Sequence, residues 1–285
     1  DLTVPELSML EFVIDQALRE GAFGVSTGLA YNHARNTPYA EVKLVAGLAA
    51  KYNAVYATHL RHEHENLVSA TQEAISISKE TGARPLISHF RALKGLETKF
   101  GEALGLIAQA PANLRFDCHP FDYSIVPLYT LLPEVFQHGS LEEMQKAISD
   151  EQNAERLRNE FKKVRGEEIV IARAPGFDFL VGKTISEYAY RQEISAAEGL
   201  YVFMKQTKLR AVVFKKNINL TETLKALFFD RAFVASNSPS LLEGRNVIEN
   251  ERAAKTFSKF LKIAGEASAL TFEQAIAKIT SRPAQ

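Results

Sequence analysis

The spacing of apolar positions changes along the chain, and each change marks an element. Thr3, followed three residues later by Glu6, forms a capping box, with Pro5 in the first turn. Leu7, Leu10, Ile14 and Ala17 then recur at helical spacing until Gly21 stops the run, which predicts a helix. A short strand over 22–26 follows. The alternation then repeats. A helix over 40–52 precedes a strand over 54–60. Leu67, Ala70, Ala74 and Ile77 line one face of the next helix, which stops at Gly82 before a strand over 85–89. A helix around 100–110 leads to a strand over 114–120. Strand and helix alternate at about 30 residues per unit, as parallel βαβ construction requires. The strands are mostly apolar, which suits a sheet covered on both faces.

Residues 139–168 break this rhythm: 141–165 is highly charged and helical in pattern, and reads as an insertion or lid. Regular units are expected to resume with a strand over 168–172, a helix from 184 and a strand over 209–214. A helix over 220–228 and a last strand over 232–236 follow, and helices near 251–264 and 271–280 close the chain. Pro and Gly are spread out, with no low-complexity linker and no short repeat. The expectation is one domain over 1–285 that includes the helical insertion.

Apolar residues make up 46% of the 285, enough for a sizeable core. Lys and Arg number 34, as do Asp and Glu, so charge gives no case for nucleic acid or an anionic membrane as partner. Cys118 is the only cysteine, which excludes an internal disulfide and favours a reducing, cytoplasmic setting. No apolar run reaches the roughly 18 residues of a membrane span. Asp1 runs straight into a helix signal, and the expectation is that the natural N-terminus, with any targeting signal, lies upstream.

Three residues close predicted strands, where parallel βα folds place reactive groups. They are His59 after Val-Tyr-Ala-Thr, His89 after Pro-Leu-Ile-Ser, and Asn237 after Phe-Val-Ala-Ser. The histidines lie one unit apart, so their strands should be neighbours about 4.8 Å apart, and their imidazoles could meet at one cation. A single histidine at a strand end is more often a capped or core residue; two in matching positions of consecutive units favour a metal. His62 and His64, in Arg61-His62-Glu63-His64-Glu65, read as a solvated first helical turn. His33 and His138 lie in polar loops. Cys118 and His119 are adjacent in a strand and point to opposite faces, which argues against a nucleophile pair. Gly21-Ala-Phe-Gly24 is too short for a phosphate loop.

A longer series of motifs runs through the chain in order. It comprises Gly24-Val-Ser-Thr-Gly-Leu-Ala-Tyr31, Thr58-His-Leu-Arg61, Ile87-Ser-His89, Asp117-Cys-His-Pro-Phe121, Gly182-Lys-Thr-Ile-Ser-Glu187, Ala235-Ser-Asn237, Leu270-Thr-Phe-Glu-Gln-Ala275 and Ile279-Thr-Ser-Arg-Pro-Ala284. This series resembles the N-acyl-D-amino-acid deacylases (D-aminoacylases) of the amidohydrolase superfamily. The resemblance implies an α/β fold, a TIM-like (β/α)-barrel of amidohydrolase type, incomplete at its N-terminus. It implies that His59 and His89 bind a metal, usually Zn2+, and that Tyr31 and Arg91 bind a substrate carboxylate, Arg91 replacing a lysine. His119 stands where a tyrosine near the scissile carbonyl is common, and Asn237 occupies the place of a catalytic aspartate.

Three departures accompany the resemblance. The family's His-x-His pair and further metal ligand would lie upstream of Asp1. Ser236-Asn237-Ser238 stands for Ser-Asp-Gly, and 241–247 replaces a histidine-rich loop. An amide cannot take a proton from an attacking water, so the resemblance implies metal-dependent hydrolysis of a linear N-acyl amino acid with impaired turnover. The alternatives are a non-catalytic binding or scaffold protein, or an amidohydrolase acting on a cyclic amide or dipeptide.

Overall fold

The computed structural model describes residues 2–31, 33–238 and 250–285. In chain order its elements are α1 (Val4–Arg19), β1 (Gly24–Gly28), α2 (Tyr39–Lys51), β2 (Val55–His59), α3 (Leu67–Thr81), β3 (Arg84–Ile87), α4 (Glu97–Gln109) and β4 (Arg115–Cys118). There follow β5 (Ser124–Pro127), α5 (Leu141–Ser149), α6 (Glu151–Phe161), β6 (Ile169–Arg173), α7 (Ile185–Arg191), α8 (Ala196–Gln206) and β7 (Val212–Lys215). The last are α9 (Leu220–Leu227), β8 (Ala232–Val234), α10 (Glu251–Ala267) and α11 (Phe272–Ile279).

Local chemistry sets the helix ends. At α1 the Glu6 carboxylate accepts from both the Thr3 N–H (2.7 Å) and its hydroxyl (2.6 Å). Gly82 ends α3 at φ 72, a left-handed conformation that costs glycine little, and its N–H donates to Ser78.

The chain separates into two compact units. The first comprises Asp1–Phe121, Asn219–Asn237 and Ala254–Gln285. Among its described residues, five parallel strands pair in the order β1-β2-β3-β4-β8. With helices between successive strands, this is a partial (β/α)-barrel, as the alternation predicted. Phe116 and Cys118 of β4, Leu114 just before it, Ile87 of β3 and Ile107 of α4 are all fully buried. The strands are covered on both faces, so no period-two alternation survives in β4. Burying each large apolar side chain stabilises by about 1.5–3 kcal/mol.

The second unit comprises Asp122–Ile218 and Ser238–Ala253. Here the structure corrects the sequence reading. The segments expected as further barrel strands become β6 and β7, which pair antiparallel in a three-stranded sheet of order β5-β7-β6. A short apolar run predicts a strand but says nothing of its partner's direction. The missing partner, β5, is four residues long and ends in Pro127 at a sheet edge, so it carries almost no strand signal. The charged stretch after residue 139 is helical as expected. Ser140 caps α5, accepting from the Glu143 N–H (3.2 Å), and Asp150 caps α6. Their charges cover an apolar stripe of Met144, Ile148, Leu157 and Phe161 that is buried in this unit's core. The departure noted at 241–247 lies outside the described residues.

Candidate metal centre

Parallel pairing of β1, β2 and β3 fixes the placement of the site. Gly28 pairs with His59 and Thr58 with Ile87, so β2 and β3 end side by side. The ladder continues past them: the Ser88 N–H donates to the Thr58 carbonyl (2.9 Å) and the Phe90 N–H to the Asp117 carbonyl (2.7 Å). His89 follows β3 at φ 44, a left-handed conformation rare for a non-glycine residue and costing about 1–3 kcal/mol. It is pinned there by the Asp117 carboxylate, which accepts its backbone N–H at 2.8 Å.

The two imidazoles meet edge to face, with ring centroids 4.3 Å apart and planes at 79°. Between them lies a residue that the sequence reading set aside. Glu63 was expected among the solvated charges of a helical first turn. Instead α3 starts only at Leu67, and the preceding turn folds the Glu63 carboxylate back over the strand ends, leaving it a fifth exposed. Its Oε1 lies 3.0 Å from His89 Nδ1 and 3.5 Å from His59 Nε2. The Arg91 guanidinium closes on it as a fork, Nη1 to Oε1 at 2.9 Å and Nη2 to Oε2 at 3.0 Å. The spacing of four residues between His59 and Glu63 was the available signal, hidden by the charged run around it. His64 is exposed, as expected, while His62 is half-buried.

The electrostatics follow from this packing. Burial acts to raise the Glu63 carboxyl, but the Arg91 guanidinium and the two imidazoles outweigh it and hold it well below the usual carboxylate range. Burial lowers His89, against the pull of Glu63. Asp117 is pushed up to about 6 by burial, against the His89 N–H and the Arg91 charge.

Of the other residues singled out in the sequence, Tyr31 stands with its ring centroid 5.5 Å from that of His59 and stacks on His33 at 5.8 Å. Arg91 touches both Glu63 and His89. His119 is buried just after β4, with its ring 6.2 Å from Phe121. Asn237 is exposed after β8, at φ 43. These last two stand at the ends of the next two strands along the sheet.

His59, Glu63 and His89 offer ligand atoms that all lie within 4.8 Å of one another. His59 Nε2 is buried and lacks a hydrogen-bond partner among the described residues. A buried ring nitrogen without a partner is costly unless something takes its lone pair. Two imidazoles beside a carboxylate form a donor set suited to a borderline cation such as zinc. The residues fit a metal.

No family profile matches the chain. It is 39% identical over 125 residues to an N-acyl-D-aspartate deacylase of Alcaligenes xylosoxydans xylosoxydans, a match over 42% of this chain and 25% of that protein. A D-aminoacylase of the same organism is 31% identical over 124 residues, again 42% of this chain and 25% of the relative. The chain thus spans about a quarter of the length of these curated relatives. Among solved structures, the N-acyl-D-glutamate deacylase of Bordetella bronchiseptica, complexed with zinc and a phosphonate inhibitor, superposes with a TM-score of 0.76 at 19% identity. That match covers 99% of this chain and 52% of the other. A D-aminoacylase from a novel subset of amidohydrolases gives 0.70 at 20% identity, over 98% and 52%. The structural likeness is one of fold. Over about two fifths of its sequence the chain is similar to N-acyl-D-amino-acid deacylases, and along nearly all of it the fold is like theirs.

Proposed function

We propose that this chain carries part of the catalytic face of a metal-dependent hydrolase acting on linear amides, most like N-acyl-D-amino-acid deacylation. The observation that carries the reading is the meeting of His59 and His89 at adjacent strand ends, with a buried nitrogen of His59 lacking a partner. His59 and His89 would hold the metal, zinc by the chemistry of the donors. When bound, such an ion polarises an amide carbonyl and lowers the pKa of water to about 7.

The chain's own residues supply the rest. The Tyr31 ring walls the site beside His59. Tyr31 and Arg91 would hold the substrate carboxylate, which has to share or displace Glu63 from the Arg91 fork. His119 would sit towards the scissile carbonyl. Asn237 has the shape of a carboxylate but cannot accept a proton, so the shuttle to the leaving nitrogen is missing at that atom. General acid–base transfer is worth about 10²–10⁴-fold, and turnover should be reduced on that scale.

The experiment is zinc content and hydrolysis of N-acetyl-D-amino acids by the full-length protein that carries this chain and by its Asn237→Asp variant. Zinc uptake that is lost in His59→Ala and His89→Ala, with turnover rising in Asn237→Asp, is the expected result. A zinc-loaded Asn237→Asp protein that hydrolyses none of these amides refutes the deacylase reading. The amide at Asn237 favours one other reading, a binding or scaffold protein, which would hold an N-acyl amino acid without turnover. A panel including cyclic amides and dipeptides separates the substrate classes.

A further inference from the structure

The Glu63 carboxylate could serve the two histidines in either of two ways, as a third ligand or as a hydrogen-bond acceptor, and counting hydrogens separates them. Arg91 Nη1 carries two hydrogens and lies close to three atoms: Glu63 Oε1 at 2.9 Å, the His89 carbonyl oxygen at 2.8 Å and His89 Nδ1 at 2.8 Å. Were Nδ1 an acceptor, three acceptors would compete for two hydrogens. The lone pairs of Nδ1 and Oε1 would then also face each other at 3.0 Å. With a hydrogen on Nδ1 every contact closes. Nδ1–H donates to Oε1, Nη1 donates to Oε1 and to the His89 carbonyl, and Nη2 donates to Oε2 at 3.0 Å. Nη1 and Nδ1 are then close because both bond one oxygen.

We propose, on the reading that His59 and His89 hold a metal, that Glu63 is a positioning residue and not a ligand: its carboxylate accepts the His89 Nδ1–H, fixes that tautomer and leaves Nε2 as the metal-binding nitrogen. A carboxylate behind a ligating imidazole fixes both the ring's orientation and which nitrogen is free. Here the same carboxylate also pairs with Arg91, so the guanidinium next to the centre is neutralised before a cation arrives. His89 is thereby held at three points: its backbone N–H by Asp117, its carbonyl by Arg91 and its ring by Glu63.

The experiment reads the tautomer directly, by long-range 1H–15N correlation of the histidine rings in the metal-free chain, with His89 assigned from the signal lost in His89→Gln. Wild type should show the Nδ1–H pattern, and Glu63→Leu should move His89 towards the Nε2–H form. Calorimetric titration with zinc alone should show affinity lower by about 10–100-fold in Glu63→Leu, largely restored in Glu63→Asp. An Nε2–H ring in the wild type overturns the proposal, whether or not the leucine variant folds. So does a zinc affinity unchanged in a folded Glu63→Leu protein. A wild type that shows the Nδ1–H ring yet takes up no zinc sinks the metal reading and leaves the assignment of the hydrogen bond standing.

Discussion

Lys278 offers a test of the barrel unit that is independent of the metal centre. It lies in α11, fully buried, with its ammonium donating to the Ala232 carbonyl of β8 at 2.9 Å and to the carbonyl of Phe229. Burial, with Arg282 adding to it, pushes the amine down from 10.5 to about 8. The sign follows from linkage: a base whose folded pKa lies below its unfolded one penalises the fold wherever it is charged in both states. The penalty is full below about pH 8 and vanishes as pH rises through 10.5. A drop from 10.5 to about 8 corresponds to roughly 3 kcal/mol, at about 1.4 kcal/mol per unit. Lys278→Met removes the titration and leaves the shape. Urea unfolding of wild type and variant at several pH values between about 7 and 10 should show the variant's relative stability falling by roughly 2–3 kcal/mol across the range. Groups that do not interact with Lys278 cancel in the difference; the Cys118 thiol, which does interact with it, is removed from the comparison by making both proteins in a Cys118→Ala background. A stability difference that stays flat from pH 7 to 10 would refute both the burial of the charge and its cost.

Other perturbations test other parts of the argument. Burial drives the Cys118 thiol far above its usual range, so a thiol reagent at pH 8 should label it only at the rate of unfolding; rapid labelling of the folded chain contradicts its placement in β4. A Cβ on Gly24 would run into the Val55 backbone carbonyl across the β1–β2 pair, so Gly24→Ala should lower the melting temperature by several degrees, measured by calorimetry. Asp15 is held down at about 2 by the Lys51 ammonium (2.7 Å) and the Tyr52 hydroxyl (2.7 Å). Its contribution is present above 3.8 and lost as pH falls through about 2, so Asp15→Asn should destabilise at neutral pH and match wild type near pH 2 in acid unfolding curves.

The parallel part of the fold was legible because its signals were redundant. At α3, the apolar face, the Gly82 stop and the strand after it all agree, and β2 and β3 fall within a residue or two of their expected bounds. The antiparallel sheet was not legible: β6 and β7 look like any buried strands, and direction is decided by a partner, β5, four residues long. At the site, His59 and His89 were readable because strand ends are a position that sequence can mark. Glu63 was not, because its burial comes from a turn that reverses onto the strands, and a carboxylate among charges reads as solvated until that turn is seen.

His89 and Asn237 share a backbone feature. Both sit in the left-handed region, at φ 44 and φ 43, at the ends of β3 and β8, the two strands that flank β4. Histidine and asparagine are among the non-glycine residues that adopt this conformation most readily. At these two positions the backbone turn alone therefore goes some way to explaining the residue type, before any chemistry is invoked. Aspartate tolerates the same conformation, so geometry did not force the amide at Asn237. What backbone demand leaves unexplained is the choice of an amide over a carboxylate at Asn237 and, at His89, the ring's company: a glutamate on Nδ1, an arginine on its carbonyl and a second imidazole 4.3 Å away. A histidine needed only for its φ has no use for such neighbours, and it is in that surplus of polar contacts, rather than in the strained torsion, that the case for chemistry at this strand end lies.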